Sequence, residues 1–207
     1  MTTEQQTEEF WEGHYQQRER VWSGKVNPVF AEIAEPLTPG RALDLGCGEG
    51  ADAVWLARHG WQVDAADISA TALARAAGHA AETGTAERIS FHRVDLTKGF
   101  PEGRFDLVSA QFLQSPLDFP RAEVLRRAFA ALAPGGVLLV VDHAAAPPWS
   151  KHGHQMEFPT PQDTLAELGL SADQVAVERA GTVERPAAGP EGEHGMLTDG
   201  VLVLRRR

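Results

Sequence analysis

The sequence predicts an α/β fold, a doubly wound, mostly parallel seven-stranded sheet with an antiparallel C-terminal strand. Three observations carry that expectation. Short apolar runs alternate with helical patterns five times between Ala42 and His143, and such alternation builds a parallel sheet with helices on both faces. The first apolar run ends in a glycine-rich turn, "LDLGCGEG", that flows straight into a helical pattern. The last third carries two strand-like runs with no clear helix between them, which suggests an antiparallel pair at the C-terminal edge. Right-handed crossovers leave essentially a doubly wound order.

Taken in order, Glu4 to Arg20 reads as a polar helix with the aromatics Phe10, Trp11 and Tyr15. Gly24 and Pro28 break it, and a second short helix runs from Val29 to Glu35. Ala42–Leu45 is an apolar strand, and Ala51–His59 is a helix stopped by Gly60. Trp61, Val63 and Ala65 alternate along a second strand that ends at Asp67. Ser69 is placed to cap the alanine-rich helix Ala70–Thr83. Ile89–Val94 and Phe105–Ala110 are the third and fourth strands. In the helix Arg121–Ala133, Leu125, Ala128, Phe129 and Leu132 share a face. "APGG" closes it, and "VLLVVDH" is a fifth strand apolar enough to be buried on both faces. Beyond it, Gln162–Leu168 reads as a helix, Val175–Thr182 as a strand, "PAAGPEGEHG" as a loop and Val201–Leu204 as a final strand after a Thr198–Asp199–Gly200 turn.

The chain of 207 residues is read as one domain, 1–207. Residues 1–38 form a helical cover, 39–143 a ligand-binding core and 144–207 a substrate-side region. A net charge of −10 argues against general affinity for nucleic acid or an anionic membrane. The basic run Arg205–Arg207 is short and reads as a solvated tail. Cys47 is the single cysteine, so no internal disulfide forms, and a reducing cytoplasm is the expected setting. The polar N-terminus lacks the pattern of a signal peptide, and no window is apolar enough for a membrane span.

The glycine turn is the main functional signal. Glycines there permit a tight turn and close backbone approach, and the N–H groups opening the next helix face a ligand. Gly46, Gly48 and Ala51 satisfy G-x-G-x-x-G/A, and Asp67 sits where a carboxylate takes a ribose hydroxyl pair. The turn alone therefore leaves a dinucleotide open. Asp44, just before the turn, is awkward beside a pyrophosphate but suits an ammonium or a sulfonium. Asp95 ends the third strand as a second acidic tip. Hydride-transfer machinery is missing: Tyr15 is the only tyrosine, and Glu19 stands where the Y-x-x-x-K pattern needs lysine. The chain is also short for a separate substrate domain.

At these residues the sequence resembles the class I S-adenosylmethionine-dependent methyltransferases, from about Phe10 to Asp142. "LDLGCGEG" is similar to their glycine loop, "VDAADIS" to their ribose-binding strand end and "VDL" to their adenine-contacting turn. "FDLVSAQFL" and "LAPGGVLLVV" are similar to their fourth strand and their passage into the fifth. The front segment, Phe10 to Phe30, is similar to the cover of small-molecule methyltransferases of the thiopurine and tellurite-resistance type. The resemblance implies S-adenosyl-L-methionine as cofactor. Gly46, Cys47, Gly48 and Gly50 would wrap its methionine part, with Asp44 nearby. Asp67 would bind the ribose hydroxyls, and Ile68 would pack on the adenine. Asp95 and the Leu96 N–H would meet the adenine edge. The Gln111 carbonyl would receive the ammonium, and Trp22 would cover the cofactor.

Each assignment has a plainer alternative. Asp67 and Asp95 also suit ordinary turns, and the first helix's aromatics also suit docking on the sheet. Cys47 reads as a small space-filler, because no partner is placed to activate it. His143, after the fifth strand, is the one candidate general base, and a structural histidine is the competing reading. His152 and His154 lie close together, but no cysteine or carboxylate cluster completes a zinc pattern, so no metal is expected. The fourth-strand tip "AQFLQSP" lacks the N-P-P-Y type sequence of base-methylating enzymes. The expected partner is a small-molecule acceptor bearing a thiol, hydroxyl or amine, without nucleic acid or membrane. An NAD(P)-dependent oxidoreductase and a non-catalytic S-adenosylmethionine-binding regulatory module remain the alternatives. No motif encodes the oligomeric state.

Overall fold

The structure is a computed structural model. It describes residues 3–19, 21, 24–150, 158–189 and 192–207, with side chains from residue 5 onward. Two helices, α1 (Thr3–Gln16) and α2 (Pro28–Ala34), precede the sheet. β1 (Arg41–Leu45), α3 (Ala51–Arg58), β2 (Gln62–Asp67), α4 (Ala70–Glu82) and β3 (Ile89–Arg93) follow, with one 3₁₀ turn at Ala86–Arg88. β4 (Phe105–Gln111), α5 (Arg121–Ala130), β5 (Leu132–His143) and α6 (Pro161–Leu168) lead to the long hairpin β6 (Val175–Ala188) and β7 (His194–Arg206).

The seven strands lie in the order β3-β2-β1-β4-β5-β7-β6. β1 to β5 pair in parallel, while β7 runs antiparallel to both of its neighbours, β5 and β6. The doubly wound expectation and the antiparallel final strand agree with this order. The order reverses direction between β1 and β4. Ligands of open α/β sheets bind outside the carboxyl ends of the strands at such a point.

Alternation along the strands divides the core in two. Ala42, Val137, Leu139 and Val141 face Phe30, Leu56 and Trp61 on one side. Leu43, Leu45, Leu138 and Val140 face Leu125, Phe129 and Leu168 on the other. Both faces are thus apolar, as a covered parallel sheet requires. Burying each such leucine contributes about 1.5–3 kcal/mol. Ser69 caps α4 by accepting from the Ala72 N–H at 3.1 Å. Gly50 opens α3 with a φ of 81°, and a Cβ there would stand 2.7 Å from Ala76 Cβ. Only glycine lets α4 pack this close to the turn.

Three elements depart from the sequence reading. α1 ends at Gln16 rather than Arg20. β5 starts at Leu132, inside what reads as a helix end: Leu132 pairs with Phe105, and the register then shifts before Leu107 pairs with Val137. "APGG" bulges between them, and a Cβ on Gly136 would lie 2.7 Å from the Phe105 carbonyl oxygen. The largest departure is the hairpin. Pro186 and the flanking glycines read as a loop, yet the two strands stay paired from Val175↔Arg206 to Ala188↔His194. β6 is an edge strand, where a proline without a donor is tolerated. Past His143↔Asp199, the end of the β5 pairing, the hairpin continues beyond the sheet at its ligand-binding end. Among the described residues, no helix is long and apolar enough to cross a membrane.

Candidate functional site

One cavity of about 460 Å³ opens at the carboxyl ends of the strands. Asp44, Gly46, Cys47, Gly48 and Gly50 line it from β1 and the following turn. Asp67 and Ile68 reach it from β2, Asp95 and Leu96 from the turn after β3, Gln111 from β4 and His143 from β5. All the described residues of the expected site therefore border a single space. Trp22, assigned as a cofactor cover, and His152 and His154, weighed as a metal pair, lie outside the described residues.

The cavity wall under the glycine turn is acidic and largely buried. Asp44 is buried and accepts from Ser109 Oγ at 2.8 Å. Burial and the nearby Asp52 push its carboxyl up to about 7, against the pull of that hydrogen bond. Asp52, in the first turn of α3, is raised to about 6, chiefly by burial, although it accepts the Asn27 N–H at 2.9 Å. Asp67 is also buried and raised by burial, while its two oxygens accept the Gly48 and Ser69 N–H groups, each at 2.9 Å. Burying anionic groups this closely is costly unless a cation shares the space. The Cys47 thiol is driven up first by burial and then by Asp67 and Asp44, so it stays protonated and unreactive. Asp95 is tied into its own turn, accepting the Thr97 N–H at 2.9 Å and Thr97 Oγ1 at 2.7 Å. Both side-chain amide atoms of Gln111 are buried without a hydrogen-bond partner among the described residues, an unmet polar demand at the same wall.

The roof comes from the N-terminal segment. Thr7, Trp11 and Tyr15 of α1 and residues 24–28 line the cavity. Glu12 fastens α1 to the start of α4, accepting Ser69 Oγ at 2.7 Å, Thr71 Oγ1 at 2.5 Å and the Thr71 N–H at 3.2 Å. The Thr71 hydroxyl leads the set of bonds that holds its carboxyl down at about 2. Glu49, buried within the glycine turn, accepts the Val21 N–H at 3.1 and 3.2 Å and Arg75 Nη1 at 2.8 Å. The sequence reading missed Glu49 and Asp52, although both sit in or next to the motif. Their role depends on where the cover lands, and no spacing rule supplies that.

The far end of the cavity has a different chemistry. The His143 ring lies 4.3 Å from the Phe112 ring, and Arg185 of the projecting hairpin completes the wall. Phe112 is the sole non-glycine residue with positive φ among the described residues, at 52°. The backbone is thus bent at the tip of β4, a costly conformation usually retained at functional sites. Beside it, Arg121 pairs with the buried Asp142. Arg185 and Asp199 went unnoticed in the sequence because the hairpin read as a loop and a turn.

The methyltransferase domain family matches residues 14–175. The chain is 37% identical over 113 residues to ribosomal RNA small subunit methyltransferase C of Alcanivorax borkumensis, a match covering 53% of this chain and 34% of that protein. It is 32% identical over 154 residues to the 2-heptyl-1-hydroxyquinolin-4(1H)-one methyltransferase of Mycobacteroides abscessus, covering 70% of this chain and 66% of that one. The chain thus spans from a third to just under two thirds of these relatives. In fold it is similar to the magnesium protoporphyrin IX methyltransferase of Synechocystis PCC 6803, solved with bound S-adenosylmethionine. That match has a TM-score of 0.66 and 19% identity, and covers 100% of this chain and 98% of the other.

Proposed function

The chain belongs to the class I S-adenosylmethionine-dependent methyltransferases, and we propose that it methylates a small organic acceptor seated beside His143. The observation that carries this reading is the cavity itself. Buried carboxyls stand at one end, an aromatic ring, an imidazole and a guanidinium at the other, and one continuous space joins them. The residues fit the cofactor. Asp67 takes the ribose hydroxyls, and Ile68, Asp95 and Leu96 meet the adenine. The glycine turn, Asp44 and Gln111 take the methionine part, whose ammonium suits the acidic wall and Gln111 Oε1, and whose carboxylate suits the Gln111 Nε2 donor.

Bound there, S-adenosylmethionine supplies a methyl group on a cationic sulfur, which is an excellent leaving group. The protein's task is then alignment and dryness more than activation. The carboxylates hold the cofactor from its far ends. A strongly acidic wall at the methyl itself would stabilise the cation that the reaction consumes. The roof formed by α1 and residues 24–28 excludes water. A net charge of −10 and a space of about 460 Å³ favour a small acceptor over a polyanionic nucleic acid.

Calorimetry tests the reading. S-adenosylmethionine and its demethylated product should bind, and NAD should not. NAD binding without S-adenosylmethionine binding would point to the oxidoreductase alternative and overturn the proposal. Labelled methyl transfer across phenols, thiols and amines then separates an enzyme from a binding module.

A further inference from the structure

The acceptor end of the cavity contains two buried polar atoms that face each other. His143 Nδ1 lies 3.4 Å from Asp199 Oδ1, within ion-pair reach though short of hydrogen-bond geometry, and neither atom has a hydrogen-bond partner among the described residues. Asp199 is fully buried, and its other oxygen accepts from Arg185 Nε at 2.5 Å. The His143 ring is about a third exposed and lines the cavity. With Nδ1 turned to Asp199, the open edge of the ring carries Nε2. The register that pairs His143 with Asp199 also carries β6 and β7 past the sheet, so hairpin and dyad are one construction.

We propose that Asp199 is a positioning residue that sets His143 as general base for an acceptor hydroxyl, so that this site methylates oxygen rather than sulfur. The inference rests on the methyltransferase reading above. A carboxylate fixed beside Nδ1 favours the tautomer that carries its proton there, which leaves the lone pair at Nε2. Burial pushes the Asp199 carboxyl up, but the His143 contact and the Arg185 pair outweigh it and hold it below the usual range. Asp199 thus stays an anion that orients the ring and steadies the imidazolium, without taking the proton itself.

The step balances without another reactant. The acceptor hydroxyl gives its proton to His143 Nε2, and its oxygen bonds to the methyl carbon of S-adenosylmethionine. The methyl–sulfur bond breaks, its electron pair stays on sulfur, and the sulfonium becomes a neutral thioether. The proton later leaves to water. A thiol ionises more readily and needs no such base, so a built and buried dyad serves a more weakly acidic O–H better than an S–H. Phe112 lies against the His143 ring and fixes its plane.

The test has two arms on the full-length chain. The first is ¹⁵N NMR of the histidine rings, with the His143 signal assigned through His143→Gln. The neutral ring is expected as the Nδ1–H tautomer, and Asp199→Asn should shift it toward Nε2–H. A wild-type ring already in the Nε2–H form would overturn the proposal. The second arm compares turnover of matched phenols and aryl thiols with S-adenosylmethionine. Asp199→Asn should lower kcat for phenols by roughly ten- to a hundredfold and for thiols by less than about twofold. An equal fall for both would mark a merely structural contact and overturn the proposal, as would turnover confined to thiols.

Asp199→Asn strands the Arg185 charge, so the double variant Asp199→Asn/Arg185→Gln repeats both arms without it. Failure of S-adenosylmethionine to bind in calorimetry would sink the methyltransferase reading instead. That result is distinct from a wrong tautomer in a chain that binds it.

Discussion

The two ends of the cavity solve opposite electrostatic problems. At the glycine turn, Asp44 and Asp67 are buried with the half-buried Asp52 close by, and burial raises all three carboxyls. That end is strained in charge until a cation arrives. At the hairpin end, Asp199 already has Arg185 and His143, and Asp142 already has Arg121. The carboxyls of the first end face one another without a paired cation among the described residues, while each carboxyl of the second already has a basic side chain beside it. On the proposed reading, selectivity for a cationic donor belongs to the unsatisfied wall and orientation of the acceptor chemistry to the pre-paired one.

The contrast can be broken most forcefully at Asp67. Asp67→Ala should weaken S-adenosylmethionine binding by roughly 1.5–3 kcal/mol, on the order of ten- to a hundredfold, through lost charge-assisted hydrogen bonds. Calorimetry reads it, and unchanged affinity in a folded variant would refute the donor-side assignment.

Proton linkage gives the next effect. The folded Asp44 carboxyl sits at about 7 against an ordinary 3.8, so across that window the folded chain binds more protons than the unfolded one. Its contribution to stability therefore falls as pH rises from about 4 to 7. Asp44→Asn should gain stability relative to the native chain over the same interval, as measured by urea unfolding. Donor binding, which needs the anion, should weaken by up to about tenfold for each pH unit of acidification below 7 in the native chain and much less in the variant. A parallel pH response in both would assign the titration elsewhere.

A smaller effect is expected at the roof. Glu49→Gln weakens the bonds to Val21 and Arg75, and amide exchange at Val21 should quicken by about tenfold, near 1.4 kcal/mol. Protection equal to the native chain's would show that Glu49 does not hold the roof. The smallest effect sharpens the comparison by its absence. Asp199→Asn should leave donor affinity within about twofold, below roughly 0.5 kcal/mol. A larger loss would mean that the two ends are not separate devices.

The donor end was legible in the sequence because it is local. "LDLGCGEG", Asp67 and "VDL" each sit at a strand tip, and parallel pairing brings neighbouring tips together once the order is known. The acceptor end was not, apart from His143. Asp199 and Arg185 reach it only through a long antiparallel pairing, and Pro186 with its surrounding glycines hid that pairing. Local signals for loops lose to the pairing of two extended chains when one is an edge strand that needs no donor at every position. β5 shows the same competition on a smaller scale, since glycines that read as a helix stop also let a strand bulge against the Phe105 carbonyl.

The projecting part of the hairpin, residues 183–188 and 194–199, contributes to one wall of the cavity and to little else in the core. Its register with β5 ends at His143↔Asp199, so sequence changes beyond that point need not disturb the apolar interior or the glycine turn. An ancestral enzyme could therefore acquire a new taste in acceptors by editing a protruding ribbon while inheriting its donor chemistry intact. Such a division of labour lets one scaffold diversify without first surrendering its stability.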